Sequence, residues 1–217
     1  MTPDRLAQVI VLTEDLDREG DRFRRAGFRV EPGGRHPGRG TENLIVPFAG
    51  QYLEILAVVD RAEAAGSPQG RPVVASLDRR GPGLARWSVE PDDIVATAAR
   101  LGLPVERRQR LRPDGTSVRW HAVGVDEAWE QPWRGAYLSW DDPAMHPGRA
   151  EMPHPNGAVS LGTLEVAVPD METARRWLGD VDQLGSVQLV PMHSAAVDLR
   201  LRLQFAGEPF VLAGDRA

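Results

Sequence analysis

Three aspartates, Asp15, Asp92 and Asp170, each stand where a short apolar run gives way to a helical pattern, and they are spaced by 77 and 78 residues. The runs before them, Gln8 to Leu12, Leu84 to Val89 and Thr163 to Val168, read as buried strands. An aspartate at that point accepts hydrogen bonds from the free N–H groups of a first helical turn. The helices then carry apolar residues on one face: Leu16, Phe23 and Ala26; Ile94, Ala98 and Leu101; Met171, Ala174 and Leu178. Each stops at a glycine, Gly27, Gly102 or Gly179. Three strand-like runs follow every helix. They are Phe28 to Glu31, Thr41 to Phe48 and Gln51 to Val58; then Val105 to Leu111, Ser117 to Val123 and Ala136 to Trp140; then Ser186 to Val190, Ala196 to Phe205 and Phe210 to Ala213. A constant period with a constant element order is the mark of tandem repeats. The expected fold is α+β, with βαβββ modules over 1–60, 83–142 and 160–217 and linkers over 61–82 and 143–159.

Pro32 to Gly40 reads as a turn-rich loop, and Pro113-Asp114-Gly115 as a turn. A short helix is expected near Val73 to Arg80 in the first linker. The second linker, with Pro143, Pro147, Pro153 and Pro155, reads as an extended connection in which His146 and His154 have no assigned role.

Composition narrows the chemistry. The chain has no cysteine and no lysine, which removes disulfides, thiolate ligands and Schiff-base catalysis. A net charge of -5 gives no support to nucleic-acid binding. No apolar run approaches the roughly 18 residues of a membrane span, and Met1 to Arg5 does not open a signal peptide, so a cytoplasmic protein is expected. Neither a His-Glu-x-x-His zinc motif nor readable triad spacing is present.

The chemistry concentrates at Glu54. On an extended strand Tyr52, Glu54 and Leu56 share one face, and an ionised carboxylate in such company needs a cation, a donor or a wet cavity. Glu54 is either the floor of a pocket or a carboxylate satisfied by an arginine. Its sequence copies, Ser139 and Val211, are not acidic. Arg108, Arg110 and Arg112 alternate along one strand and would reach an anionic ligand if that face lines a cleft. Trp87, Trp120, Trp133 and Trp140 gather in the second module, where aromatic walls suit a small organic ligand.

The motifs Val9-Ile10-Val11-Leu12 with Asp15-Leu16-Asp17, His36-Pro37-Gly38-Arg39-Gly40-Thr41-Glu42-Asn43, Tyr52-Leu53-Glu54, Trp120 and the Trp140 to Pro147 tail resemble the vicinal oxygen chelate superfamily. Within it they resemble glyoxalase-like domains, over about two-thirds of the chain. The resemblance implies that modules one and two pair around a cleft, with the third module appended. It further implies a divalent metal (nickel, zinc, iron or manganese) held by the first residue of strand one and a residue of strand four in each module. Counting seven residues back from the aspartates gives Gln8, Ala85 and Thr163 for strand one, and the likeness of the closing strands gives Glu54, Ser139 and Val211 for strand four. Gln8 and Glu54 are the ligands expected, with His121 as a third, and Glu54 doubles as the catalytic base. His36, Asn43, Tyr52, Trp87 and Arg119 are expected to bind substrate. Three functions stay open: a metal-assisted lyase or isomerase acting on a small oxygenated anion, a metal-free binding or sequestration protein, and a scaffold whose cleft is vestigial. The partner is a small molecule, and a homodimer is expected as one way to cover an odd third module.

Overall fold

The computed structural model describes residues 5–111, 115–149, 153–179, 184–193, 197–203, 205 and 210–214. Expectations placed on Met1 to Asp4, Arg112, Pro113-Asp114 and Ala196 lie outside the described residues.

The first two modules merge into one eight-stranded sheet. Strands β1 (Arg5–Thr13), β2 (Glu31–His36), β3 (Thr41–Phe48) and β4 (Gln51–Val58) surround helix α1 (Leu16–Arg25) in the chain. Helices α2 (Arg61–Gly66) and α3 (Arg71–Arg80) follow. The second module contains β5 (Gly83–Glu90), α4 (Ile94–Leu101), β6 (Glu106–Leu111), β7 (Ser117–Val123), α5 (Val125–Glu130) and β8 (Ala136–Trp140). The strand order is β2-β3-β4-β1-β5-β8-β7-β6, with β1 parallel to β4, β5 parallel to β8, and β1 antiparallel to β5 at the seam.

Asp15, Asp93 and Asp170 cap the three repeat helices, each carboxylate accepting first-turn N–H groups. The second cap is therefore Asp93 where Asp92 was expected, and this moves the strand-one equivalence in module two by one residue. Leu6-Ala7-Gln8-Val9 now aligns with Leu84-Ala85-Arg86-Trp87. The seam confirms it, because the β1–β5 register shifts once at Ala7 and once at Ala85. A bulge re-aims the residues beside it, so Gln8 and Arg86 are turned into the same cleft.

Strand β2 corrects the loop expected over Pro32 to Gly40. Proline and glycine are tolerated there because β2 is an edge strand with a register shift between Pro32 and Gly34.

The third module repeats the element order as β9 (Thr163–Val168), α6 (Met171–Leu178), β10 (Val187–Pro191), β11 (Leu199–Leu203) and β12 (Phe210–Gly214), but its strand order is β10-β9-β11-β12. Here the first strand lies parallel to the second, whereas in modules one and two it lies parallel to the fourth. Leu199, Leu201 and Leu203 alternate inward with Arg200 and Arg202, and they join Leu164, Val166 and Leu212 in one core. That core includes Val9, Leu53, Ile55, Leu84 and Trp87 from the eight-stranded sheet. The odd module thus covers the outer face of its own chain, which meets the need that prompted the expectation of a second subunit. No helix among the described residues is long and apolar enough to cross a membrane.

The opposite, concave face holds a second core. Val73 and Leu77 of α3 and Val125, Ala128 and Trp129 of α5 pack over Ile10, Tyr52, Leu56, Leu138 and Trp140.

Candidate functional site

The concave face encloses a cavity of about 120 Å³. Glu54 stands on its floor, 9% exposed, on the face of β4 shared by Tyr52 and Leu56. Gln8 Nε2 donates to Glu54 Oε2, and Asn43 Nδ2 donates to Oε1 at 2.6 Å. Gln8 is held in turn from β5, its Oε1 accepting from Ser88 Oγ at 3.0 Å and from Arg86 Nη2 at 3.2 Å. A carboxylate has about four lone-pair sites, and these two bonds use one on each oxygen of Glu54.

Arg86 is 7% exposed and lies over the Trp129 ring at 5.0 Å. Its Nε is buried with no partner among the described residues. Burial lowers its pKa to about 10 while nearby Glu54 opposes the shift, so the guanidinium keeps its charge at neutral pH. Arg39, Arg108 and Arg110 line the same cavity. Burial lowers the pKa of Arg39, and the like charges of Arg108 and Arg110 push the same way, against Glu54. His36, whose Nδ1 lies 2.9 Å from Thr41 Oγ1, is lowered chiefly by burial, with Glu54 opposing, and is therefore neutral at pH 7. Burial raises the Tyr52 hydroxyl, the Glu54 charge adding to it, so Tyr52 stays a neutral phenol. Trp120, Trp129 and Trp140 form the aromatic wall.

Four expected residues, His36, Asn43, Tyr52 and Glu54, therefore line one cavity, with Gln8 beneath. Three do not. Trp87 is fully buried on the other face of β5, its indole donating to Pro132 O at 2.9 Å. Arg119 and His121 face outward from β7, where period-two alternation sends Val118, Trp120 and Ala122 inward. His121 pairs with Asp141 at 3.1 Å beside an open surface depression. Ser139, directly opposite His121, is on the outward side too, and the cleft instead receives Leu138 and Trp140. Trp133 packs in the outer core. Val211 lies on β12 of the second sheet, 38% exposed.

The expected metal does not fit these residues. Module one supplies Gln8 and Glu54, but the position equivalent to Gln8 in module two is Arg86, a donor that binds no cation. Gln8 Oε1 is already engaged, and no group of three or more His, Asp or Glu suited to a metal occurs among the described residues. An octahedral site needs about six donors, some of them water, and a zinc site at least three protein ligands. The guanidinium supplies the positive charge beside Glu54 instead. Arg86 and Arg39 were not singled out from sequence. The Leu-Ala-Gln-Val and Leu-Ala-Arg-Trp likeness was the signal for Arg86, hidden by choosing Asp92 over Asp93.

The sequence matches the family model described as a glyoxalase-like domain over residues 9–181, most of the chain. The chain belongs to the glyoxalase-like domain family. This glyoxalase-like protein is similar in fold to a hypothetical protein from Staphylococcus aureus, with a TM-score of 0.62 and 16% identity over 98% of this chain and 86% of that one. Weaker likenesses include methylmalonyl-CoA epimerase from Mycobacterium tuberculosis, with a TM-score of 0.43 and 17% identity over 63% of this chain and 86% of that one. Another is a mutant 4-hydroxymandelate synthase from Streptomyces coelicolor, with a TM-score of 0.46 and 13% identity over 99% and 64%. None of the curated protein sequences matches this chain. The family agrees with the vicinal oxygen chelate resemblance read from the sequence. At such identities a shared fold carries no shared chemistry.

Proposed function

We propose that the cleft binds a small oxygenated anion without a metal and that Glu54 exchanges a proton with it, in chemistry of the isomerase or lyase type. The observation that carries this reading is Arg86, a buried guanidinium occupying the module-two ligand position beside Gln8 and Glu54. In this reading a remaining lone pair of Glu54 takes a proton from the carbon next to a carbonyl or carboxylate of the ligand. The electron pair left behind moves onto that oxygen, where the positive charge of the Arg86 guanidinium stabilises it. Returning the proton to carbon completes an isomerisation. Gln8 and Asn43 hold the carboxylate in place, and the tryptophans exclude water.

The test is deuterium exchange at carbon in small 2-oxo and 2-hydroxy acids, followed by NMR with chelator-treated protein. Wild type should exchange, and Glu54→Gln should slow it by about 100-fold or more. Exchange that is unchanged in E54Q, or that depends on added metal, contradicts the proposal. A second reading, sequestration without turnover, is favoured by the clamp that places an amide on each Glu54 oxygen. It is the outcome if ligands bind and no exchange occurs.

A further inference from the structure

The two outermost strands of the curled sheet, β2 and β6, are joined by side chains across the mouth of the cleft. Arg110 Nη1 donates to Gly33 O at 2.9 Å, and Arg39 Nη2 donates to Gln109 O at 3.1 Å. The exchange is reciprocal: an arginine from module two meets a module-one backbone, and an arginine at the β2–β3 turn meets module two. Each guanidinium carries five donors in a planar fork, and only one per arginine is used in this clasp. Both side chains also line the cavity. Two cationic forks therefore sit at the mouth, while Arg86 sits at the floor.

The charges do not balance. The cavity is lined by Arg39, Arg86, Arg108 and Arg110 against a single carboxylate, Glu54. One further acid compensates Arg108, whose Nη2 donates to Glu106 at 2.6 Å. Four guanidinium groups outnumber Glu54, Glu106 and Asp126, whose charge also reaches Arg86, so the cavity is net positive and held partly out of water where screening is weak. Separated cations of this kind are best matched by an anion with charge at both ends, since a single carboxylate reaches one of them and leaves the other unmatched.

We propose, building on the anion-binding reading above, that the natural ligand class is a small dianion: a carboxylate on Arg86 at the floor, and a second anionic group, carboxylate or phosphate, held at the mouth by Arg39 and Arg110. Binding the second group draws both clasp arginines onto the ligand, so the ligand itself ties the two modules together. Arg86 is the residue for anion binding as such, and the clasp pair determines specificity for the second charge.

The experiment is isothermal titration of chelator-treated, full-length protein at low ionic strength with acetate, lactate, malonate, succinate and phosphoglycolate. Wild type, Arg86→Gln, Arg39→Gln and Arg110→Gln are compared, each first checked for an unchanged melting profile. Wild type should bind at least one dianion about tenfold or more tighter than either monoanion, in line with added charge-assisted hydrogen bonds. R110Q and R39Q should bring dianion affinity down toward the monoanion level and cost the monoanions far less, whereas R86Q should weaken both. The carboxylate and phosphate members separate the two sources of the second charge. Equal binding of monoanions and dianions, or equal losses for both in R110Q, overturns the dianion proposal while leaving anion binding at Arg86 intact. No binding of any of these anions overturns both readings. Should R110Q lose its cooperative melting, Arg110→Lys, which keeps the charge without the fork, is expected to retain part of the dianion preference. Full loss of that preference in a folded R110K with wild-type behaviour in R39Q counts against the clasp.

Discussion

At the scale of single residues, the cleft depends on a glycine as much as on its charged groups. Gly33 lies at the β2 irregularity, and a Cβ there would fall 2.0 Å from Asn43 Oδ1. Its lack of a side chain makes room for the carboxamide that holds Glu54. Gly33→Ala is expected to fold, displace Asn43 and weaken the Glu54 clamp. The loss should be about 1–3 kcal/mol in stability, the scale of a hydrogen bond to a charged group, with a fall in isotope exchange matching that of Asn43→Ala. Denaturant unfolding and the exchange assay on both variants check this, and a G33A protein with full exchange contradicts it. The pocket's acid was legible in the sequence, since Glu54 breaks an apolar strand and lacks acidic copies. Arg86 was not legible in the same way. A bulge at Ala85 decides which side chain faces inward, and strict period-two reading cannot anticipate a bulge.

At the scale of elements, the segment after β8 is a strap. Residues Pro143–Met145 and Pro147–Arg149 form single 3-10 turns, and Gly148 O accepts from Gly50 N at 2.8 Å, pinning the start of β4. His146, 3% exposed, accepts from Gly148 N on Nδ1 and packs its ring against Tyr52 and Trp140. Burial, aided by Arg5 and Arg149, lowers its pKa to about 4. The unfolded chain binds a proton there near the ordinary value of about 6.5, so between those values the unfolded state holds more protons and stability falls as pH falls. This group should cost the protein about 2 kcal/mol between pH 7 and pH 5, measured by urea unfolding. His146→Gln should show a smaller drop. An identical drop in both would remove His146 from the account, leaving the lowered His36 and His154 as the remaining histidine contributors. Nothing in the local pattern pointed to this role, because a histidine among prolines reads as exposed. The strap's burial comes from long-range packing on Tyr52 and Trp140.

At the scale of the whole molecule, the repeat order and the pairing of two modules into one sheet follow from the period of capped helices and glycine stops. The third module shows where that reasoning ends. Its elements come in the same order, yet its strands pair differently, because local pattern specifies elements while partners are selected by the surface each sheet must cover. Its leucine face packs on the outer side of the paired modules, and the concave side holds the cavity with Glu54. There Arg86 stands where the sequence resemblance implied a metal ligand, and the proposed function rests on that guanidinium. The most direct test is the metal content of protein purified without chelator, measured for wild type and Glu54→Ala. The expected result is no stoichiometric nickel, zinc, iron or manganese in either. One equivalent of such a metal in wild type, lost in E54A, would contradict the assignment of Arg86 as the cleft's resident positive charge.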